Sequence, residues 1–190
     1  MRCGKNIDAG ETCFNCRGSK SRKYKCSFIR SAFVYEGVIK AALREYKYSG
    51  KDYLGKFLGK WMWSEFLRHP EFREYEALVA IPLSRSKLRK RGFNQSLLLA
   101  RVLSRYTGLP VLSGAVTKTR DTPSQALLKR EERKTNIVGA FSADREVVAG
   151  KKIILIDDVA TTGFTLEEAA RVLKKAGARK VCAYVLAREN

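Results

Sequence analysis

The side chains best suited to chemistry lie together between residues 157 and 165. Two adjacent carboxylates, Asp157 and Asp158, come first, and small or hydroxylated residues follow: Ala160, Thr161, Thr162, Gly163 and Thr165. Carboxylates can hold ribose hydroxyls or a hydrated Mg²⁺, and the N–H groups at a helix N-terminus can hold a phosphate. The segment therefore predicts a sugar-phosphate site. It is not a Walker A loop, because no Gly-Lys-Ser/Thr sequence closes it.

The elements on both sides of this segment would place it at the edge of a sheet. The apolar residues 153–156 predict a buried parallel strand. Apolar residues at helical spacing follow the loop: Leu166, Ala169, Ala170, Val172 and Leu173. Open α/β sheets bind ligands at the carboxyl ends of their strands. A simpler interpretation stays open, in which Thr161 or Thr162 only caps the helix and the aspartates are solvated.

A second group of polar residues follows another predicted strand, Ala77 to Leu83. Ser84, Arg85 and Lys87 would form a basic, hydroxylated loop at the carboxyl end of that strand, suited to a pyrophosphate group. Gly92 is expected to open the next helix. The polar segment 117–136 is predicted to be partly helical and to supply a closing lid. No residue stands out as a general base.

Four cysteines lie near the N-terminus: Cys3, Cys13, Cys16 and Cys26. In a reducing compartment such clustering favours a metal over disulfides, and Cys13 and Cys16 form a C-x-x-C pair of the type that binds structural Zn²⁺. The alternative is a set of free thiols in a loosely ordered tail. Cys182 is expected to be a small buried apolar residue in a C-terminal strand.

The chain carries a large positive charge. Its 38 lysine and arginine residues outnumber 19 aspartate and glutamate residues, so the formal net charge is +19 over 190 residues. This charge indicates polyanionic partners. The candidate contact with single-stranded nucleic acid consists of Arg89, Lys90 and Arg91, followed by Phe93, which would stack on a base. The alternatives are packing of Phe93 on the sheet and a solvated basic surface suited to high temperature or salt.

Predicted strands alternate with predicted helices, which indicates an α/β fold with a parallel sheet flanked by helices. Residues 1–27 would form a small Cys-bearing module and residues 28–190 the main domain, with a hood near 28–75 and a core near 76–190. No apolar run is long enough to span a membrane, and the polar N-terminus is unlike a signal peptide. A cytoplasmic location is therefore expected. One helical stripe is expected to pack in the core or the hood: Leu54, Phe57, Leu58, Trp61, Met62 and Phe66.

With these segments placed, the sequence resembles the ComF family, also called ComFC in competence operons and close to GntX-type proteins. Its most distinctive match runs from Pro82 to Gln95 and contains Arg-x-Arg-Gly-Phe-Asn-Gln. Residues 157–163 resemble the motif that binds 5-phosphoribosyl 1-pyrophosphate (PRPP) in type I phosphoribosyltransferases. The resemblance covers nearly the whole chain, with further matches at Tyr35, Gly37, 47–50, 119–125, Arg130, Arg133, Asn136, Ala140 and Phe141.

The resemblance implies a type I phosphoribosyltransferase fold that binds PRPP and Mg²⁺. Asp157 and Asp158 would form the catalytic centre by holding ribose hydroxyls and the hydrated metal. Residues 160–165 would hold the 5′-phosphate, and Ser84, Arg85 and Lys87 would take the leaving pyrophosphate. Cys3, Cys13 and Cys16 resemble the family's zinc finger, whose usual first cysteine would fall ahead of Met1. Three interpretations stay open: the first residue of the sequence is assigned too late, Cys26 supplies the fourth ligand, or the zinc site is degenerate.

The resemblance also implies a role in natural transformation, where members are thought to handle incoming single-stranded DNA. Single-stranded DNA and the DNA-uptake machinery are the partners it indicates. Two functions stay open. One is transfer of a phosphoribosyl group to an unknown acceptor. The other is a non-catalytic DNA-handling role in which the PRPP site is structural or regulatory. A PRPP-sensing repressor lacks support, because no helix-turn-helix segment is found.

Overall fold

A computed structural model describes residues 25–48, 51–121 and 136–189. Its strands are β1 (Ile29–Val34), β2 (Ala77–Ala80), β3 (Val116–Lys118), β4 (Phe141–Ala143), β5 (Lys152–Ala160) and β6 (Lys180–Arg188). Its helices are α1 (Gly37–Tyr48), α2 (Leu54–Phe66), α3 (Arg85–Arg91), α4 (Gln95–Thr107), α5 (Arg145–Val148) and α6 (Phe164–Lys175), with a 3₁₀-helix at Pro70–Glu74. Within these ranges, no helix is both long enough and apolar enough to cross a membrane.

The central sheet is parallel, with the strand order β1-β6-β5-β2 among the described residues. Residues 110–112 extend it beyond β2, because the Leu78 N–H donates to the Pro110 carbonyl and the Leu112 N–H donates to the Leu78 carbonyl, each at 2.9 Å. Strands β3 and β4 form a separate antiparallel pair. The parallel α/β architecture predicted from the sequence is confirmed.

Side chains cover both faces of the sheet, as expected for parallel strands that are continuously apolar. On one face, Ile154 and Tyr184 pack with buried residues of α1, α2 and α4. On the other face, Leu155 and Val185 pack with α6 and the β3–β4 pair. The five α6 positions predicted to be apolar and inward-facing are all buried. The carboxyl end of β5 therefore opens between two well-packed layers.

Three local predictions differ from the structure. The basic residues after β2 form helix α3 instead of a loop, and Gly92, at φ 83°, ends that helix. Asn94 instead begins α4, and its side chain accepts a hydrogen bond from the Leu97 N–H at 3.2 Å. Strand β5 continues through Ala160, so the acidic pair lies inside the strand. Most of the predicted lid, residues 122–135, lies outside the described residues.

The predicted domain boundaries are only partly visible. Strand β1 pairs with β6, so the first strand of the predicted hood belongs to the same sheet as the core. Helices α1 and α2 then pack on one face of that sheet. Residues 1–24, which make up nearly all of the predicted N-terminal module, lie outside the described residues. The boundary near residue 27 therefore stays a prediction.

Helix α2 packs through a face that contains two glycines. Gly55, Leu58, Gly59 and Met62 are buried, and a Cβ added to Gly59 would lie 2.7 Å from Val102 Cβ on α4. The large residues on the opposite side remain in solvent, since Phe57 is 60% exposed and Trp61 is 45% exposed. The prediction that the whole apolar stripe packs inward is wrong for these two aromatic residues. Because α2 and α4 approach closely, the face of α2 that contains the glycines packs inward instead.

Replacing Gly59 by Ala should destabilise the protein by about 1–3 kcal/mol, the usual cost of overpacking. The added methyl group would collide with the branched Cβ of Val102, and alanine's better helix propensity, about 1 kcal/mol, offsets only part of that cost. Urea unfolding measures the change. The exposed neighbour Lys60, replaced by Ala, should stay within about 0.5 kcal/mol of wild type. If the Gly59→Ala variant is as stable as wild type, the close packing of α2 against α4 is contradicted.

Candidate functional site

Asp157, near the end of β5, is held in a buried polar network. Its Oδ1 accepts a hydrogen bond from the Ser96 hydroxyl on α4 at 2.8 Å and another from the Asp158 N–H at 2.9 Å. Burial, followed by the charge of Asp158, raises the pKa of Asp157 to about 7. This carboxyl group can therefore change its protonation state near neutral pH when a ligand or cation approaches.

Asp158 forms a buried ion pair with a helix from the other end of the chain. Its Oδ2 lies 2.8 Å from Lys47 Nζ in the last turn of α1, and the Asp158 side chain is only 6% exposed. Its Oδ1 accepts a hydrogen bond from the Val159 N–H at 2.7 Å. Burial is the largest single influence on Lys47 and lowers its pKa, but the charge and hydrogen bond of Asp158, together with the charges of Asp157 and Tyr35, raise the net pKa above the ordinary lysine value. Helix α1 thus positions the second carboxylate.

The predicted phosphate loop runs from β5 into the N-terminus of α6. Ala160 is buried, and the Thr162 hydroxyl is buried without a hydrogen-bond partner in the part of the chain that the structure describes. Gly163, at φ 77°, immediately precedes α6 in the left-handed conformation that favours glycine. The first N–H groups of a helix have no partner within the helix. The loop and α6 therefore offer donors for an anionic group.

A buried arginine lies beside this loop. Arg188, the last residue of β6, is 4% exposed, and a Cβ added to Gly163 would lie 3.9 Å from Arg188 Nη2. Strand register places Arg188 opposite Ala160 of β5 and Val34 of β1. A guanidinium group at this position adds positive charge next to the first turn of α6, where an anion would bind.

Ser84 and its neighbours form a polar cluster at the end of β2. Ser84 is buried directly before α3, and its hydroxyl oxygen lies 3.2 Å from that of Ser86. The Ser86 hydroxyl donates to Asp121 Oδ1 at 3.0 Å. Hydrogen bonds from both serines lower the pKa of Asp121. Of the predicted pyrophosphate residues, Ser84 and Lys87 are thus enclosed to some degree, whereas Arg85 is exposed.

Two lysines lie close together near this cluster. Burial lowers the pKa of Lys87, and the nearby charge of Arg91 lowers it further. On β3, burial and then the charge of Lys87 lower the pKa of Lys118 to about 8. Asp157 also acts electrostatically on Lys118, so the basic cluster lies within reach of the acidic pair. A lysine whose pKa is lowered by a neighbouring cation is typical of a site that takes an anion.

The predicted nucleic-acid residues occupy the end of α3 and the turn after it. Arg89 and Lys90 are exposed, and Arg91 is half-buried. Phe93 is half-buried, and its ring centroid lies 5.4 Å from that of Tyr46. This contact favours the packing role of Phe93 over base stacking. The basic end of α3 keeps its candidate role in binding phosphates.

The predicted zinc ligands are only partly within the described residues. Cys3, Cys13 and Cys16 lie outside them. Cys26 is buried in the core, where its Sγ lies 3.7 Å from the Leu166 carbonyl and burial raises its pKa. Residues 25–48, 51–121 and 136–189 contain no group of three or more potential metal ligands. Cys182 is buried as predicted, and zinc binding stays a prediction that elemental analysis of the full chain can test.

Four residues of this site were not predicted from the sequence: Lys47, Ser96, Lys118 and Arg188. Tertiary structure brings the first three to the acidic pair and Arg188 to the phosphate loop. Ser96 is 61 residues away from the carboxylate that it contacts. A polar residue at a buried helical position, such as Ser96 in α4, is the only local signal that could have indicated one of them.

Several known proteins resemble this chain in sequence. The phosphoribosyl transferase domain family matches residues 94–190, about half of the chain. Competence protein F of Haemophilus influenzae is 27% identical over 192 residues, covering 98% of this chain and 82% of that protein. The DNA utilization protein YhgH of Escherichia coli is 33% identical over 157 residues, covering 81% of this chain and 69% of that protein.

Among solved structures, the glutamine PRPP amidotransferase from B. subtilis, complexed with ADP and GMP, is similar with a TM-score of 0.45 and 26% identity. The match covers 69% of this chain and 25% of that larger protein. The family assignment depends on the domain match and on the two relatives, not on this structural similarity. The chain therefore belongs to the phosphoribosyl transferase domain family and, within it, to the group of competence protein F and YhgH.

Proposed function

We propose that this protein binds Mg-PRPP at the carboxyl ends of β2 and β5 and acts in DNA uptake or utilization. The observation that carries the proposal is the buried pair Asp157 and Asp158, which Ser96 and Lys47 hold beside a cluster of cations. A pair of carboxylates next to a phosphate loop and a basic cluster matches a ligand that has a ribose between two phosphorylated ends.

Each part of PRPP would meet a different group of residues. The 5′-phosphate would bind residues 160–165 and the N-terminus of α6, with Arg188 adding positive charge. The ribose hydroxyls would bind Asp157 and Asp158. The pyrophosphate would extend toward Ser84, Lys87 and Lys118, whose ammonium groups favour its negative charge.

The two carboxylates also fit Mg²⁺, which prefers oxygen ligands and keeps several water molecules. Asp157 has a raised pKa, so a divalent cation nearby would favour its ionised form. When bound, Mg²⁺ would neutralise charge that develops on pyrophosphate. The zinc site predicted at Cys3, Cys13, Cys16 and Cys26 would be separate and structural.

In a transferase reaction, a nucleophile would form a bond to C1 of the ribose as the C1–oxygen bond to pyrophosphate breaks. The bonding electron pair leaves with pyrophosphate, and a proton of the acceptor passes to solvent. Lys87 and Lys118 would stabilise the leaving group as its charge grows. The carboxylates would orient the ribose and favour the positive charge that develops at C1.

Calorimetry with Mg-PRPP tests the binding step, and a screen of nucleobases for pyrophosphate release tests transfer. We expect PRPP to bind in the presence of Mg²⁺ and more tightly than ribose 5-phosphate, because only PRPP reaches the basic cluster. Pyrophosphate alone should compete. Absence of PRPP binding with Mg²⁺ present would refute the proposal. If PRPP binds but no acceptor causes pyrophosphate release, the non-catalytic function described below would be favoured.

Affinity for PRPP should fall as pH rises from about 7.5 to 9, because Lys118, with a pKa of about 8, loses its charge over that range. Lys118→Arg should keep its affinity up to pH 9, since arginine stays protonated. Lys118→Gln should bind weakly at both pH values. Calorimetry at a series of pH values measures all three proteins. The same decline in the arginine variant as in wild type would show that Lys118 does not contact the ligand.

A second candidate function is non-catalytic handling of single-stranded DNA. The names of the two relatives, which refer to competence and DNA utilization, support a DNA role, and so does the net charge of +19. Fluorescence anisotropy with a labelled oligonucleotide across a salt series tests it. About four neutralised phosphates would give a slope near −3 for log affinity against log salt. Absence of binding at low salt would remove DNA from the proposal.

A further inference from the structure

The outer face of α2 presents three aromatic rings to solvent. Tyr53, which precedes the helix, is 54% exposed, and Phe57 and Trp61 are 60% and 45% exposed. We call these three residues the aromatic stripe. They recur every four residues, so each ring lies about 6 Å further along the helix axis than the one before it. This distance resembles the separation of neighbouring bases in an extended single strand.

The arrangement is the reverse of ordinary helix packing. Large aromatic residues normally provide most of a helix's buried apolar area, yet α2 buries Gly55 and Gly59 with Leu58 and Met62. The glycine face has no room for larger groups, because a Cβ on Gly55 would lie 2.9 Å from the Tyr46 hydroxyl oxygen. The aromatic stripe therefore does not contribute to this packing. Its exposure points to a ligand outside the domain.

Basic residues follow the same face. Lys56 and Lys60 are exposed and lie along one border of the aromatic stripe. Neither has an ion-pair partner within the described part of the chain. The acidic Glu65, one turn further on, is paired with Arg68 at 3.3 Å. Rings beside unpaired ammonium groups match the alternating bases and phosphates of a nucleic-acid strand.

We propose that the aromatic stripe is a binding surface for single-stranded nucleic acid, with bases stacked on its rings and phosphates held by Lys56 and Lys60. Stacking on aromatic side chains beside a cationic track is how proteins bind single strands without sequence preference. A second copy of this chain fits the surface less well, because it would bring like-charged lysines together. The inference rests on the DNA role proposed above and adds a location that differs from the basic end of α3.

Tryptophan fluorescence gives a direct test, because the chain has two tryptophans. Trp61 is exposed, whereas Trp63 is stacked between Phe66 and Tyr106 at centroid distances of 5.8 and 5.6 Å. Trp63→Phe leaves Trp61 as the reporter, and Trp61→Phe leaves Trp63. Oligo(dT) should quench the fluorescence of the first variant and leave that of the second nearly unchanged. Quenching confined to Trp63, or absent from both variants, would overturn the proposal.

Anisotropy with labelled oligo(dT) measures the contribution of each group. Phe57→Ala and Trp61→Ala should each weaken binding at least about fivefold, given the usual contribution of base stacking. The exposed apolar Leu67, replaced by Ala, is the matched control and should bind like wild type. Replacing Lys56 and Lys60 together by Ala should reduce the salt slope by about 1.4. The affinity of all these variants for Mg-PRPP should not change.

The remaining outcomes each reject the inference. In one outcome, the aromatic variants bind oligo(dT) like wild type, while a variant with Arg89, Lys90 and Arg91 all replaced by Ala loses binding. DNA then binds at α3, so the proposed DNA role is kept but the aromatic stripe is not its site. If wild type binds no oligonucleotide, both the DNA role and this surface are wrong. If sedimentation velocity shows a dimer that Trp61→Ala dissociates, the aromatic stripe is a contact between copies. If acrylamide quenches Trp61 no better than Trp63, residues outside the described ranges cover it.

Discussion

Asp157→Asn should weaken Mg-PRPP binding at least about tenfold and, at pH 8, raise the melting temperature of the protein. Loss of affinity is expected because a hydrogen bond to a charged group contributes about 1.5–3 kcal/mol. Asparagine has the same shape and can still accept the hydrogen bonds from Ser96 and the Asp158 N–H. The substitution therefore removes charge while it preserves the local structure.

The gain in stability follows from the raised pKa of Asp157. A carboxyl group with a higher pKa in the folded state binds protons more tightly there, so stability falls as pH rises from about 4 to about 7. Above pH 7 the buried charge is present and its cost is complete. Asparagine avoids that cost, and a gain of about 1 kcal/mol corresponds to about 2–4 °C for a chain of this size. The gain should shrink toward pH 4.

Calorimetry and thermal melting at pH 5 and pH 8 measure both effects. Asp144→Asn, which removes an exposed carboxylate at the start of α5, is the matched control for net charge. It should leave PRPP affinity close to wild type. An Asp157→Asn variant that binds PRPP as tightly as wild type would remove Asp157 from the site. A lower melting temperature at pH 8 would show that the charged form stabilises the fold.

Lys47→Met should destabilise the protein by about 3–5 kcal/mol, the usual cost of leaving one member of a buried ion pair without its partner. Asp158, at 6% exposure, would lose the ammonium group that lies 2.8 Å from its Oδ2. Adding Asp158→Asn to the same variant should recover a large part of the loss. Urea unfolding of wild type, both single variants and the double variant yields the coupling energy between the two residues.

Lys51→Met is the matched control, because Lys51 pairs with Glu45 at 2.7 Å on the surface. Exposed pairs contribute about 0–1 kcal/mol.

The raised pKa of Lys47 means that its contribution to stability is present below the ordinary lysine pKa and is lost only at higher pH. The difference between wild type and Lys47→Met should therefore stay constant from pH 7 to pH 9. A loss no larger than that of Lys51→Met would contradict the buried pair.

The features that could be predicted from the sequence are those with a local pattern. The apolar run of β5 and the helical spacing in α6 each involve neighbouring residues, and the residues of the motif at 157–163 are contiguous. A buried parallel strand must be apolar on both faces, so its composition alone identifies it. The family assignment followed from the same contiguous motifs. The bounds of β5 were less accurate, because two aspartates are unusual inside a strand.

Helix α3 shows how a functional interpretation can conceal secondary structure. Its residues, Arg85–Arg91, are mostly basic and contain no apolar stripe. The first of them, up to Lys87, were predicted to form with Ser84 a loop that holds pyrophosphate. Arginine, lysine and leucine all have high helix propensity, and Gly92 ends the helix as a left-handed cap. For residues 85–91, helix propensity indicates the secondary structure correctly, whereas the expected pyrophosphate binding suggested a loop.

The sequence thus determines the strand–loop–helix unit, the parallel α/β class and the family, because each depends on residues that are close together in the chain. The partners of the acidic pair, Lys47 and Ser96, come from distant helices, so their positions depend on how those helices pack. The same holds for the exposure of Phe57 and Trp61. Helical periodicity separates them from Leu58 and Met62, but only the close contact of Gly59 with Val102 decides which face turns inward.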